Sequence, residues 1–226
     1  MREYSKLAHN WLVLKVNNEQ IERRLSLLKG VVYDLGCGTR PYEHDILLHA
    51  ERYIGVDWDK SRRQPTPDLI ADLNRPLNIV SESADCVVAF QVLEHVHEPA
   101  LLISEAHRIL RPGGLLMLST PFQWRIHEAP WDYTRFTRFG LLHLLSSAGF
   151  SEISVEAVTG FWATWFLKLN YESKRLIRGP TFVRHLMRAC LTPMWLVDQT
   201  IAPPLDRLWP SEDETAGYFT TARRVS

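Results

Sequence analysis

Cysteine is scarce in this chain: three residues in 226, Cys37, Cys86 and Cys190. An odd, widely spaced set suggests neither a disulfide framework nor a zinc site, and points to a reducing, cytoplasmic setting. A surplus of either charge is also absent, with 26 Lys and Arg against 26 Asp and Glu. That balance argues against a broad nucleic-acid-binding face, though not against a local basic patch. No run approaches the roughly 20 apolar residues that span a bilayer. The opening Met-Arg-Glu-Tyr-Ser-Lys has no apolar signal core. Repeats and low-complexity tracts are missing. What is present is an ordinary globular mix, 46% apolar and 23% charged, in a chain long enough for one large domain.

Residues 1–30 read as an N-terminal helical segment. Leu7, Trp11, Leu14, Ile21, Leu25 and Leu28 fall near helical spacing over 3–29, and Gly30 is a stop. From residue 31 short apolar runs alternate with helical patterns. Strands are expected at Val31–Leu35, Tyr53–Asp57, Leu69–Ala71, Ala84–Phe90 and Leu115–Ser119. A helix is expected over 99–110, broken by Arg111-Pro112-Gly113-Gly114, and another over 137–149 between Thr137 and Gly149. Ile153, Val155 and Ala157 alternate as a sixth strand, and Tyr218–Ala222 is a seventh. This alternation implies an α/β, doubly wound, mostly parallel sheet with helices on both faces, occupying 31–226. Residues 160–212 fit no sheet. They carry four of the eight tryptophans and Pro180, Pro193, Pro203, Pro204 and Pro210 as breaks, which reads as a helical insertion before the last strand.

Chemistry concentrates after the strands. Asp34-Leu35-Gly36-Cys37-Gly38 follows the first strand, and its glycines let the backbone turn sharply and approach a ligand. Asp34 would repel a phosphate and attract an ammonium. Neither the full G-x-G-x-x-G pattern nor a P-loop Lys-Ser/Thr is present. Asp57 ends the second strand, placed to accept from both ribose hydroxyls. Trp58 beside it lies against an adenine or simply packs. Asp72 accepts from an adenine amino group or serves as a turn acid. Glu94 and His95 follow the fourth strand. They are metal-ligand types, but no third ligand with clear spacing accompanies them, so no metal is expected and shaping the cleft is the simpler role.

These stretches, VVYDLGCGTRPY, YIGVDWD, DLIADLNRPL, ADCVVAFQVLEHVHEP, HRILRPGGLLMLSTP and GLLHLLSSAGF, occur in order over roughly 31–158. Together the chain resembles class I S-adenosylmethionine-dependent methyltransferases of the type-11 domain family. The resemblance implies a Rossmann-like, seven-stranded sheet with an antiparallel last strand, and S-adenosyl-L-methionine as cofactor. It places Gly36, Gly38 and the backbone at Cys37 under the cofactor and Asp34 at its methionine end. Asp57 is placed at the ribose, Asp72 and the Leu73 backbone at the adenine, and Gln91 beside the methionine portion. Arg40-Pro41 departs from the pattern, standing where many relatives have another glycine.

Methyl transfer is a direct displacement, so the protein must align the reactants and remove a proton where one is in the way. Candidates lie after the fifth strand, in a stretch too polar for a buried connection and too aromatic for a plain loop. His127 is suited to take a hydroxyl proton, with Asp132 to orient it or act itself. Tyr133 and Arg135 are suited to hold a carboxylate, phosphate or sugar hydroxyls. The acceptor expected is a small molecule, a sugar or a lipid-linked compound, methylated at oxygen; the alternative is a cofactor-binding homologue without turnover. In the insertion, Phe161, Trp162, Trp165, Phe166 and Leu169 form an aromatic stripe among Lys168, Lys174, Arg175, Arg178, Arg184 and Arg188. The insertion then reads as a lid, a dimer surface or a peripheral membrane contact.

Overall fold

The computed structural model describes residues 4–58 and 65–225. These form two compact units, one built from 21–156 and 218–225 and the other from 4–20 and 157–217.

The first unit is organised by a seven-stranded sheet. Its strands are β1 (Val31–Leu35), β2 (Arg52–Asp57), β3 (Leu69–Ile70), β4 (Ala84–Phe90), β5 (Leu110–Pro121), β6 (Phe150–Ala157) and β7 (Gly217–Arg224), in the order β3-β2-β1-β4-β5-β7-β6. β3, β2, β1, β4 and β5 run parallel, with Val32 opposite Tyr53 on one side and Cys86 on the other. The last strand is antiparallel and lies between β5 and β6, as the resemblance implied. Parallel strands covered on both faces read as unbroken apolar runs. In β4, Ala84, Cys86, Val87, Val88 and Ala89 are all buried. Helices α2 (Glu43–Leu47), α3 (Pro99–Ile109) and α4 (Arg138–Ser147) connect the strands. Leu102, Ile103, Ala106 and Ile109 form the buried stripe of α3, and the Thr137 hydroxyl caps α4 by accepting from the Gly140 N–H at 3.0 Å. The strand order reverses between β1 and β4, which opens a crevice at their carboxyl ends.

Three local readings change. The N-terminal helix, α1, spans Trp11–Glu22 and not 3–29, and Leu25–Leu27 continue it as a 3-10 turn. Apolar residues three apart, Leu25 and Leu28, serve that tighter turn as well as an α-helix. Arg111–Gly114 do not separate helix from strand but belong to β5. Ala84 pairs with Leu110 and Cys86 with Leu115, so β4 advances two residues while β5 advances five. This is a bulge made possible by Gly113 at φ +75°.

The third change is in the second unit, formed around α5 (Phe161–Arg175) and α6 (Thr181–Leu208). α6 runs through Pro193, Pro203 and Pro204, while Pro180 and Pro210 lie just outside its ends. Each internal proline removes one backbone donor. The helix persists because its buried stripe, Trp195, Asp198, Gln199 and Ala202, keeps helical spacing through that stretch. The Asp206 carboxylate accepts from the N–H groups of Gly160, Trp162 and Ala163 at 3.1, 2.8 and 3.3 Å, closing the start of α5. At the base of the excursion the Val158 N–H donates to the Gly217 carbonyl at 2.9 Å. The Thr159 N–H donates to the Thr215 hydroxyl at 3.1 Å, and the Ala216 N–H to the Thr159 hydroxyl at 2.8 Å. Among the described residues no helix is long and apolar enough to cross a membrane.

Candidate functional site

The crevice begins where β1 ends. Gly36 adopts φ +79°, and a Cβ there would lie 2.5 and 2.8 Å from the two Val92 methyl carbons. Only glycine lets this turn sit against the segment leaving β4. The Gly36 and Cys37 N–H groups both donate to the Val56 carbonyl, at 2.8 and 3.1 Å. The Gly38 N–H donates to Asp57 Oδ2 at 2.7 Å, and the Trp58 N–H to Asp57 Oδ1 at 2.7 Å. Asp57 is half-buried. Each of its oxygens holds one backbone donor and keeps lone pairs for a further hydroxyl.

Asp57, Trp58, Asp72, Leu73 and Gln91 line the cleft with Gly36, around about 410 Å³ of open space, within the roughly 300–1,000 Å³ usual for small-molecule sites. Asp72 Oδ1 accepts from the Asn74 N–H and amide, each at 3.0 Å. Those bonds, the backbone one foremost, hold its carboxyl below the usual range. Gln91 sits at φ +57°, an uncommon conformation for a residue with a side chain. It is fixed by its N–H to the Ser119 carbonyl at 2.9 Å and its amide to the Ser119 hydroxyl at 3.2 Å.

Three residues expected at the cofactor stand behind this surface. Asp34 is 3% exposed and accepts the Tyr53 hydroxyl at 2.6 Å. Burial pushes its carboxyl up to about 7. Its side chain ties β1 to Tyr53 of β2, and the acids that line the cleft are Asp57, Asp72 and Glu128. Cys37 is buried, and burial pushes its thiol up to about 12, leaving it an uncharged packing group. Gly38 acts through its hydrogen bond to Asp57. Arg40 pairs with Asp68 at 2.8 Å and Glu43 at 2.7 Å.

The stretch after β5 folds back onto the turn after β4. The Tyr133 N–H donates to the Glu94 carbonyl at 2.8 Å, and His95 Nδ1 bonds the Trp131 carbonyl at 2.7 Å. Asp132 is engaged on every side. It accepts the His127 N–H at 2.8 Å and two Arg135 guanidinium nitrogens at 2.5 and 2.7 Å. The Arg135 pairing holds its carboxyl well below the usual carboxylate range. Arg135 also donates to the Arg125 and Thr134 carbonyls, so this pair builds the loop. Tyr133 is about half exposed beside the His97 ring. The His127 ring meets the His95 ring edge-on at 4.8 Å. Burial, then His95, holds it below the ordinary imidazole value.

Sequence reasoning did not single out Trp131, which meets Trp58 edge-on at 5.1 Å across the cleft, nor Asn74, which also lines it. Nor did spacing reveal that His127 completes a cluster with Glu94 and His95. Glu94 is fully buried, and burial pushes its carboxyl up to about 8.

A family model described as a methyltransferase domain matches residues 14–157. A protein of Mycolicibacterium smegmatis named as a probable S-adenosylmethionine-dependent methyltransferase is 36% identical over 134 residues, 53% of this chain and 51% of that protein. The ubiquinone biosynthesis O-methyltransferase of Pseudomonas syringae is 26% identical over 147 residues, 52% of this chain and 60% of that enzyme. The chain thus matches about half the length of its curated relatives. Among solved structures, a SAM-dependent methyltransferase from Archaeoglobus fulgidus superposes with a TM-score of 0.59 at 15% identity, covering 94% of this chain and 93% of that one. That likeness carries the fold.

Proposed function

The chain belongs to the methyltransferase-domain family, and on that premise we propose that it moves a methyl group from S-adenosyl-L-methionine to an oxygen of a small, sugar-based or lipid-linked acceptor. The observation that carries the reading is the convergence of Gly36, Asp57 and Gln91 on one cleft where the strand order reverses.

S-Adenosyl-L-methionine, when bound, supplies a methyl carbon made electrophilic by a sulfonium sulfur. The residues fit it. Gly36 offers bare backbone where a Cβ would collide with Val92. Asp57 keeps lone pairs for the two hydroxyls of a ribose. Trp58 and Trp131 provide aromatic surface for a purine, and Leu73 and Asp72 border the same end. Gln91, held by Ser119, closes the methionine end. Cys37 and Gly38 act through the shape of the turn, and Asp34 ties β1 to β2 through the Tyr53 hydroxyl.

On the acceptor side His127 takes the proton that a hydroxyl must lose before its oxygen attacks. Asp132 and Arg135 position it, and Tyr133 is exposed for contact with the acceptor. Incubation with S-adenosyl-L-methionine and a panel of hydroxylated acceptors should release S-adenosylhomocysteine. His127→Ala should lower turnover about 100-fold or more while S-adenosylhomocysteine binds as before. Unaltered turnover would remove His127 from the reaction. Tight cofactor binding with no product from any acceptor would favour a homologue without turnover.

A further inference from the structure

The turn after β4 and the loop after β5 bring three ligand-type side chains to one point. Glu94, His95 and His127 each offer one atom, and these lie within 4.8 Å of one another. Glu94 Oε1 stands 3.7 Å from His95 Nε2 and 3.9 Å from His127 Nε2. Both distances are too long for hydrogen bonds. The Glu94 side chain is 0% exposed, and neither carboxyl oxygen has a hydrogen-bond partner among the described residues. A buried carboxyl left in this state is costly, and a bound ion is one of the few arrangements that relieves it.

The other nitrogen of each ring is already occupied. His95 Nδ1 lies 2.7 Å from the Trp131 carbonyl. A carbonyl only accepts, so Nδ1 carries the proton and the neutral ring turns its Nε2 lone pair toward Glu94. His127 Nδ1 faces Asp132 Oδ2 at 3.3 Å. The Arg135 nitrogen 3.5 Å from the same atom has its better partner in Asp132 at 2.7 Å. A carbonyl behind one imidazole and a carboxylate behind the other is the outer arrangement that fixes tautomer and direction at histidine–metal sites.

We propose that Glu94, His95 and His127 hold a divalent transition-metal ion of the zinc or cobalt kind at the acceptor end of the cleft. Two imidazole nitrogens with one carboxylate suit such an ion and leave a fourth position open. Ligands about 2.1 Å from a tetrahedral ion stand roughly 3.4 Å apart, so closure shortens the two Glu94–imidazole separations by a few tenths of an ångström and draws the two rings, whose ligand atoms lie within 4.8 Å, toward each other by up to roughly 1.4 Å. The local charges allow it: Asp132 and Arg135 cancel, Glu94 gives up its proton when an ion binds, and Glu128 borders the same cleft. Of the three, His95 lines the cleft, so the site borders that space. Resting on the methyl-transfer reading, the ion's role is to lower the pKa of an acceptor hydroxyl. That proton passes to solvent, the oxygen bonds the methyl carbon, the carbon–sulfur bond breaks and its electron pair stays on sulfur. With the ion in place His127 is a ligand, and the ion takes over its part in deprotonation.

The test is metal binding itself. Full-length protein without an affinity tag, stripped by chelator, is titrated with Zn²⁺ and with Co²⁺, the latter followed by its visible absorption. One ion per chain is expected. His127→Ala and Glu94→Gln should each weaken binding about tenfold or more while leaving the affinity for S-adenosylhomocysteine unchanged. Should Glu94→Gln fail to fold, His95→Gln replaces it. No saturable binding, or equal binding in the variants, overturns the site. Ion binding without product against any acceptor sinks the methyl-transfer reading and leaves the site. Product formed equally with and without chelator sinks the site and leaves the methyl-transfer reading.

Discussion

Replacing Asp57 is the most direct probe of the cofactor side. Each carboxylate oxygen already accepts one backbone N–H, from Gly38 and from Trp58, both at 2.7 Å. The carboxylate is therefore held in place before any ligand arrives, and little ordering remains to offset the bonds it then makes. Asp57→Ala removes a charged acceptor facing ligand hydroxyls, worth about 1–3 kcal/mol, or roughly 5- to 150-fold in affinity. Asp57→Asn keeps one acceptor oxygen but turns an amide donor toward the Gly38 or Trp58 N–H, so its loss should be comparable despite the similar shape. Calorimetric titration with S-adenosylhomocysteine measures both variants, and urea unfolding confirms that each is folded. A folded Asp57→Ala protein with wild-type affinity would refute the hydroxyl-holding role and with it the orientation of the ligand in the cleft.

Gly36→Val should abolish S-adenosylhomocysteine binding, since its Cβ would lie 2.5 Å from a Val92 carbon at φ +79°; a folded variant that still bound would overturn the assignment of the turn. Asp34 supplies a pH signature. Its carboxyl titrates near 7 when folded, against 3.8 as the ordinary value, so the native state binds the proton more tightly. Stability from this group is full below about pH 4 and falls as pH rises to about 7, by an amount on the order of 4 kcal/mol. Urea unfolding of Asp34→Asn across that window should show a flatter profile than wild type, and an equally steep one would contradict the burial. Asp206→Ala should cost about 1–2 kcal/mol in unfolding free energy, because three N–H groups at the start of α5 lose their acceptor; no loss would show that water replaces it freely.

The sheet was legible because parallel strands buried on both faces leave unbroken apolar runs such as Ala84–Phe90. Period and punctuation also located α4, with Thr137 as its cap. α6 was harder, since prolines punctuate strongly in sequence while the packing of Trp195 and Ala202 that overrides them is tertiary. Position along a strand told where Asp34 lies but not that its side chain turns inward to Tyr53. Asp57 was readable because it is the last residue of its strand, where a side chain meets the crevice. The loop from Phe122 to Phe136 has no period, so its residue types suggested function while the partnership of Asp132 with Arg135, and of His127 with Glu94, awaited the folded chain.

The clasp formed by Val158 with Gly217 and by Thr159 with Thr215 and Ala216 has an evolutionary reading. Both ends of a long excursion are fastened to each other, and the entropy of closing such a loop rises only slowly with its length. Helices between those ends can be lengthened, shortened or exchanged wholesale without retuning the neighbouring strands. Lineages sharing one catalytic platform can in this way carry different appendages, each acquired like a graft on a common rootstock.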